Sequence, residues 1–178
     1  SWDYTATQHL ILADLKIEDR ERKVIMQAPK NGFFYVLDRE TGEFISAEAF
    51  VETNWATHIN RKTGRPAIKS DAYYGPDKPF LAMPGPAGGH TWQPMSYHPD
   101  TGLVFLPTMN TAYPYQLEND FRYSTFGWNT GINDLVAAMP EDEAQRKALK
   151  AMLTGYLVAW DPVEQKPRWQ VKQPNIWN

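Results

Sequence analysis

The chain contains 178 residues, of which 42% are hydrophobic and 22% are charged, and its formal net charge is −3. This composition suffices for the core of one domain, and the small negative charge argues against a nucleic-acid or anionic-membrane partner, which would need a basic patch. No stretch approaches the roughly 18 consecutive apolar residues of a membrane span. The absence of cysteine excludes disulfides, cysteine-based zinc sites and a C-x-x-C-H haem attachment within these residues.

Short apolar and aromatic runs separated by turn residues predict many short strands. The chain holds 7 Trp, 9 Tyr and 8 Phe together with 14 Pro and 11 Gly, which is typical of strands joined by loops. The predicted strands are residues 9–15, 23–28, 33–38, 43–47, 103–108 and 155–160. We expect a charged loop at residues 17–22, and Asn31-Gly32 predicts a type I′ hairpin between the second and third strands.

A turn motif recurs along the chain. Residues 38–42, 60–64 and 98–102 each begin with Asp, Asn or His and end with Thr-Gly, and residues 161–169 repeat the pattern more weakly. The first side chain can accept hydrogen bonds from turn amides, and the glycine can take the left-handed position that closes a hairpin. Repeated strand-turn-strand units favour the blades of a β-propeller. A β-sandwich also repeats hairpins, so this pattern alone does not exclude that fold.

One helix and two long loops interrupt the strands. Residues 140–153 predict a surface helix, because acids stand at its start and basic residues follow toward its end. We assign no catalytic role to this helix. Residues 70–100 and 109–139 are long, aromatic and rich in Gly and Pro, and such loops on a rigid scaffold commonly carry function. The aromatic stretch 109–128 is predicted to cover a substrate entrance.

Candidate functional residues have two interpretations each when they are taken singly. Asp3, between two aromatic residues, can act as a base or bind a hard cation, or it can pair with turn amides. Lys30 can donate to a ligand or simply be solvated. His90 is more often a structural residue than a metal ligand when no second ligand stands at suitable spacing. Trp92 and Trp177 can stack on a planar ligand or pack between blades.

Three stretches carry a resemblance to a known family. WDYTATQHLILADLKI (2–17), KVIMQAPKNGFFYVLDRETGEFISA (23–47) and GGHTWQPMSYHPDTGLVFLP (88–107) together resemble a central portion of the pyrroloquinoline quinone (PQQ) dependent alcohol dehydrogenases, nearest to the quinohaemoprotein enzymes. The resemblance covers residues 1–178 and implies an all-β fold, an eight-bladed β-propeller. This chain would form a partial propeller domain of two to three blades, with long loops and one short surface helix.

The resemblance also implies roles for individual residues. In the family, the aspartate of the Trp-Asp-Tyr motif is the catalytic base and a calcium ligand, which gives both roles to Asp3. The basic residue before Asn-Gly contacts the quinone oxygens, which corresponds to Lys30. Thr91 replaces the family's usual quinone-contacting Asn and lacks its amide. Trp92 and Trp177 correspond to further quinone contacts.

The cofactors and partners implied by the resemblance are those of a periplasmic dehydrogenase. They are PQQ, Ca²⁺, haem c on a domain outside this chain, an alcohol substrate, a cytochrome c electron acceptor and the remaining propeller segments. Lanthanide-using relatives carry a second Asp two residues after the catalytic one. That position is Thr5 here, so Ca²⁺ is expected.

The sequence also allows two interpretations in which the chain is not a segment of an enzyme. One is a propeller of the same repeat family that binds no quinone and serves as an assembly scaffold. The other is a complete, independent binding domain, which the SWDYTATQ start and the exposed sheet edges of a partial propeller argue against. Asp3, Lys30 and Trp92 occurring together in family order favour the enzyme. We expect the start to be an internal position of a longer protein, and these residues alone to be inactive.

Overall fold

Strands dominate residues 2–177, the part of the chain that the computed structural model describes. In chain order the strands are β1 (Leu10–Ile17), β2 (Arg20–Gln27), β3 (Phe33–Asp38), β4 (Phe44–Ala49), β5 (Ala56–Ile59), β6 (Pro66–Ile68), β7 (Phe80–Ala82), β8 (Ser96–His98), β9 (Leu103–Asn110), β10 (Tyr113–Tyr115), β11 (Thr154–Asp161) and β12 (Lys166–Lys172). One α-helix, α1 (Glu143–Met152), and short 3₁₀ turns at Ser70–Ala72 and Asp134–Ala137 complete the described elements.

Two four-stranded antiparallel sheets form two blades. The first has the order β1-β2-β3-β4, and the second has the order β12-β11-β9-β8. β1 alternates exposed and buried side chains, as expected for a strand with one face in a core. The apolar faces of the two sheets share one core, in which the rings of Phe34 and Trp160 lie 5.8 Å apart. The prediction of a partial all-β propeller is confirmed.

Two two-stranded ribbons accompany the blades, and of their four strands only β10 falls within the second blade in sequence, between β9 and β11. β5 pairs with β6, and β7 pairs with β10. A second buried cluster forms beside the first blade around Phe33, Trp55 and Ala72, and Trp2 and Tyr4 pack against it. This aromatic cluster fixes the beginning of the described chain next to the ribbons.

The recurring turn motif folds as predicted. Asp38 Oδ1 accepts hydrogen bonds from the backbone N–H groups of Glu40 and Thr41, both at 2.9 Å. The side chains of Asn60 and Asp161 accept in the same way from the residues two and three positions later. The residues that close these turns have positive φ angles: Gly42, Gly64, Gly102 and, where Thr-Gly is lost, Gln165.

Two local predictions are wrong. Residues 17–22 are not a loop, because β1 and β2 pair along their full length and only Glu18 and Asp19 connect them, with φ angles of 50° and 62°. These two residues have the left-handed conformation that a type I′ turn needs. Asn31-Gly32 forms no such turn, because the pairing of β2 with β3 ends at Gln27–Tyr35 and leaves a wider connection.

The sequence predicted the positions of strands better than it predicted how many there are. All six predicted strands are present, with ends displaced by at most three residues. The sequence did not predict β5, β6, β7, β8 and β10, which are short, or β12, whose side chains are all exposed. α1 begins at Glu143 with Asp142 as its N-cap, which accepts a hydrogen bond from Gln145 N–H, so Pro140 lies outside the helix. Within residues 2–177 no helix has the length and apolar character needed to span a bilayer.

Candidate functional site around Asp3 and Lys30

Asp3 is held between two anchored aromatic residues. Trp2 Nε1 donates to Ala72 O at 3.2 Å, and Tyr4 O–H donates to Pro84 O at 2.6 Å. Both rings also lie against Trp55, with centroids 5.4 and 5.1 Å from it. Between these anchors Asp3 has a φ of 55°, which is uncommon for a residue other than glycine. Backbone strain of this kind persists where the surroundings fix it and is frequent at functional sites.

The carboxylate of Asp3 meets the ammonium group of Lys30. Asp3 Oδ2 lies 3.2 Å from Lys30 Nζ, and Asp3 Oδ1 accepts a hydrogen bond from the Thr5 hydroxyl at 3.2 Å. The Lys30 side chain is 17% exposed, whereas that of Asp3 is 58% exposed. The two residues stand 27 positions apart in the sequence, and the fold brings them together at the edge of a cavity.

Lys30 is held in the Lys30 turn, residues 28–32. Gly32 N–H donates to Pro29 O at 3.3 Å, which makes Lys30 one of the two central residues of the turn. The stem of Lys30 lies on Gly88, where an added Cβ would stand 2.6 Å from Lys30 Cγ and 2.7 Å from its Cα. Gly89 N–H donates to Lys30 O at 3.0 Å. Gly88 therefore makes room for Lys30, whereas a Cβ at Gly89 would meet Val51 and Phe50.

His90 connects the same turn to the residues that follow it, in the His90 loop (residues 88–93). The side chain is fully buried, with Nδ1 2.7 Å from Ala28 O and Nε2 2.7 Å from Gln93 O. Burial lowers the pKa of His90, an effect that the two carbonyl groups partly oppose. The structural interpretation of this histidine is correct. Thr91 is half-buried, and Trp92 is 75% exposed.

A cavity of about 660 Å³ opens beside Asp3. Aromatic and aliphatic side chains form most of its wall: Tyr74, Tyr113, Tyr115, Leu117, Trp128 and Ile132. Tyr115 O–H donates to Trp2 O at 2.9 Å, and its ring stacks on Tyr74 at 5.0 Å. Burial, together with the nearby Tyr74 and Asp3, raises the pKa of Tyr115, so its hydroxyl stays protonated. The cavity thus combines two carboxylates, those of Asp3 and Asp134, with a largely apolar wall.

Trp177 has no described contact with Asp3 or Lys30. Its backbone N–H donates to Asn175 Oδ1 at 2.8 Å, and the preceding residues 175–176 pack closely on Gly155 at the start of β11. Ile176 and Gln93, the neighbours of Trp177 and Trp92, line one cavity of about 110 Å³. The segment carrying Trp177 therefore approaches the His90 loop, and the indole is 56% exposed.

Comparison with known proteins places this chain in a family. Residues 1–55 match the model of the glucose/ethanol/alcohol dehydrogenase β-propeller domain with PQQ. The whole chain is 45% identical to quinohemoprotein alcohol dehydrogenase ADH-IIG of Pseudomonas putida, of which it covers 25%. A solved structure of ADHIIG from Pseudomonas putida HK5 superposes with a TM-score of 0.89 and 43% identity over 97% of this chain and 26% of that one. The chain belongs to the PQQ-dependent alcohol dehydrogenase family.

The family's fold extends well beyond these residues. The structure of the quinohemoprotein alcohol dehydrogenase from Comamonas testosteroni superposes with a TM-score of 0.83 and 43% identity, over 99% of this chain and 26% of that one. The chain spans about a quarter of the length of the curated relatives it matches. Its two blades are accordingly a portion of a larger propeller.

The donor groups in this segment fit the cofactors of the PQQ-dependent family. Calcium takes six to eight oxygen ligands, and the Asp3 carboxylate is a suitable one. Across residues 2–177 no group of three or more His, Asp or Glu side chains gathers around one point, so Asp3 would be a single ligand of a shared site. A flat, anionic quinone suits an ammonium donor at Lys30 and the exposed face of Trp92.

Sequence reasoning missed the residues that hold the site together. Gly88 had no role assigned from the sequence, yet its missing side chain leaves the space that Lys30 occupies. Tyr74 and Tyr115 carried no individual signal, because tyrosines are frequent throughout the chain. The general prediction that residues 109–128 lie at a substrate entrance agrees with the position of Tyr113 and Trp128 in the cavity wall, but the role stays a prediction.

Proposed function

We propose that this chain contributes part of the catalytic centre of a PQQ-dependent enzyme that oxidises alcohols to aldehydes. The 3.2 Å contact of Asp3 with Lys30 beside a cavity with an aromatic wall carries the proposal. A base, a cationic donor and an apolar space for the carbon chain of a substrate are the groups that alcohol oxidation needs from the protein.

Asp3 is the base in this proposal. An alcohol that loses two electrons and two protons becomes an aldehyde, and Asp3 accepts the proton of its hydroxyl group. Asp3 and Lys30 would help to hold Ca²⁺ and PQQ, which would supply Lewis-acid polarisation and a hydride acceptor for the alcohol carbon. The strained backbone at Asp3, anchored by Trp2 and Tyr4, keeps the carboxylate in one place.

Lys30 orients this base and supplies positive charge. Its ammonium group donates to Asp3 Oδ2 and retains further N–H groups that can stabilise negative charge on a quinone oxygen. Thr91 and Trp92 would contact the quinone from the His90 loop, and Trp177 from the segment after β12. The apolar cavity wall holds the carbon chain of the alcohol and excludes water.

The setting proposed for this activity is that of the family. The proposed location is the periplasm, where haem c on a domain outside this chain would supply a route for electrons to a cytochrome c acceptor. Ca²⁺ is proposed over a lanthanide, because Thr5 stands where a second carboxylate would balance a trivalent ion, and its hydroxyl already bonds to Asp3.

Reconstitution of the full-length protein tests the proposal. The apo-protein is supplied with PQQ and either Ca²⁺ or La³⁺, and reduction of an artificial dye is followed with a series of primary alcohols. Turnover with Ca²⁺ that exceeds turnover with La³⁺ is expected. A protein that binds no PQQ and turns over no alcohol would contradict the proposal and leave the scaffold alternative.

A further inference from the structure

The buried ring of His90 joins its own loop to a distant segment, because one nitrogen contacts each. Ala28 O, two residues before Lys30, lies 2.7 Å from Nδ1. Gln93 O, one residue after Trp92, lies 2.7 Å from Nε2. The ring is rigid and fully buried, so it sets the separation of these two carbonyl groups.

We propose that His90 is a positioning residue that joins the Lys30 turn to the loop carrying Thr91 and Trp92, so that the two halves of the proposed quinone-binding site keep a fixed separation. This inference rests on the proposed function of Lys30 and Trp92. His90 touches neither Asp3 nor the cavity wall in any described contact, and it acts only through the backbone of its neighbours.

Other contacts make this connection continuous. Gly89 N–H donates to Lys30 O at 3.0 Å, and the Lys30 stem occupies the space left by Gly88. Met109 N–H donates to Gly89 O at 2.8 Å, which ties the His90 loop to β9 of the second blade. Ala28 directly follows β2 of the first blade. The His90 ring therefore bridges the two blades at the point where the proposed cofactor contacts emerge.

The chemistry of the ring explains why histidine suits this position. A neutral imidazole donates to one carbonyl through a single N–H, and an imidazolium donates to both. Phenylalanine has a similar shape and no donor, so it would leave the buried carbonyl group that receives this N–H without its partner. Leaving such groups unsatisfied costs more free energy than an ordinary hydrogen bond contributes. The segments would then separate or rotate to reach water.

The proposal is tested in the full-length protein with His90→Phe and His90→Gln, the second of which keeps one amide donor. The first readout needs no cofactor: the rate at which an amine-acetylating reagent modifies Lys30 in the apo-protein. Lys16 and Lys166, whose side chains are 64% and 58% exposed, serve as references within each sample. Val24→Ala, which shortens a fully buried core residue of β2, is the matched control for lost stability.

We expect His90→Phe to raise the acetylation rate of Lys30 relative to Lys16 on the order of tenfold, as one lost buried hydrogen bond allows. His90→Gln should raise it less, and Val24→Ala should leave it unchanged. Should His90→Phe not fold, His90→Gln against Val24→Ala decides the question. An unchanged rate for Lys30 in the His90 variants, or an equal rise in Val24→Ala, overturns the proposal.

The second readout is the affinity for PQQ, measured by titration of each apo-protein with the quinone. A loss on the order of tenfold is expected for His90→Phe, which corresponds to about 1.4 kcal/mol. The KM for alcohol at saturating PQQ should stay unchanged, because His90 lies away from the cavity. Wild-type protein that binds no PQQ would contradict the proposed function alone, since Lys30 acetylation reports the positioning role independently.

Discussion

The two sides of the Asp3 site are built in different ways. On one side the Lys30 turn and the His90 loop are largely buried apart from Trp92, and backbone hydrogen bonds, the His90 ring and the fit of Lys30 on Gly88 hold them together. On the other side, residues 116–139 form an aromatic loop in which Phe126 and Trp128 are 87% and 92% exposed. Chemistry needs fixed geometry, whereas substrate entry tolerates a loosely packed wall.

This difference predicts different consequences of mutation. Changes on the buried side should alter catalysis, cofactor affinity and stability together, because the same contacts serve all three. Changes in the aromatic loop should alter substrate preference and leave stability nearly intact. The following predictions separate the two sides.

Asp3→Asn should have the largest effect. The amide keeps the shape of the side chain but cannot accept a hydroxyl proton, so kcat in the reconstituted full-length enzyme should fall about 10²–10⁴-fold. Steady-state dye reduction measures this change. Asp14→Asn is the control, because Asp14 is an exposed carboxylate on β1 that pairs with Arg39 at 3.0 Å. Near-normal kcat in Asp3→Asn would remove Asp3 from the role of base.

Gly88→Ala should have the next largest effect, and Gly42→Ala provides a matched control. Both glycines have positive φ, 86° and 76°, so a Cβ at either costs about 1–2 kcal/mol of backbone strain. Only at Gly88 would the Cβ also overlap Lys30, which adds about 1–3 kcal/mol. Denaturant unfolding should show the larger loss for Gly88→Ala, together with weaker PQQ binding. Equal losses would mean that Lys30 does not depend on the space at Gly88.

The sequence predicted the strands of the blades well, because their apolar runs are long and bounded by turn residues. The turn motif was also predictable, since Asp38 and Gly42 each need only local backbone geometry. The two-residue turn at Glu18-Asp19 was missed because neither residue favours positive φ on its own. There, the pairing of β1 with β2 determines the turn and overrides local preference.

The candidate site was predictable only through the resemblance. Asp3 and Lys30 stand 27 positions apart, and no spacing rule brings them together. The contribution of His90 depends on two carbonyl groups, which any residue type presents and no sequence pattern marks. The sequence likewise could not show that Gly88 leaves space for Lys30, because the two residues stand far apart in the chain.

A smaller effect is expected from pH. Burial, and to a lesser extent the charge of His9, lower the pKa of His90 below its ordinary value of 6.5. The unfolded chain then binds a proton more readily than the folded one, so the stability that His90 contributes is complete above about pH 6.5 and declines as the pH falls below it. Thermal midpoints of the full-length apo-protein between about pH 5 and 8 measure this decline. His90→Gln should flatten it, and an unchanged slope would assign it to other groups.

Trp128→Ala should have the smallest effect on stability and tests the other side of the site. Trp128 is almost fully exposed yet lines the cavity beside Asp3, so its removal should change the free energy of unfolding by no more than about 0.5 kcal/mol. The KM for a bulky aromatic alcohol should rise, because the indole no longer covers the substrate, while kcat stays near normal. Phe126→Ala is the control, since Phe126 is equally exposed but does not line the cavity. A KM that changes equally in both variants would show that the loop acts as a whole. A kcat that falls in Trp128→Ala as it does in Asp3→Asn would mean that the aromatic loop, like the buried side, fixes the geometry of the reaction.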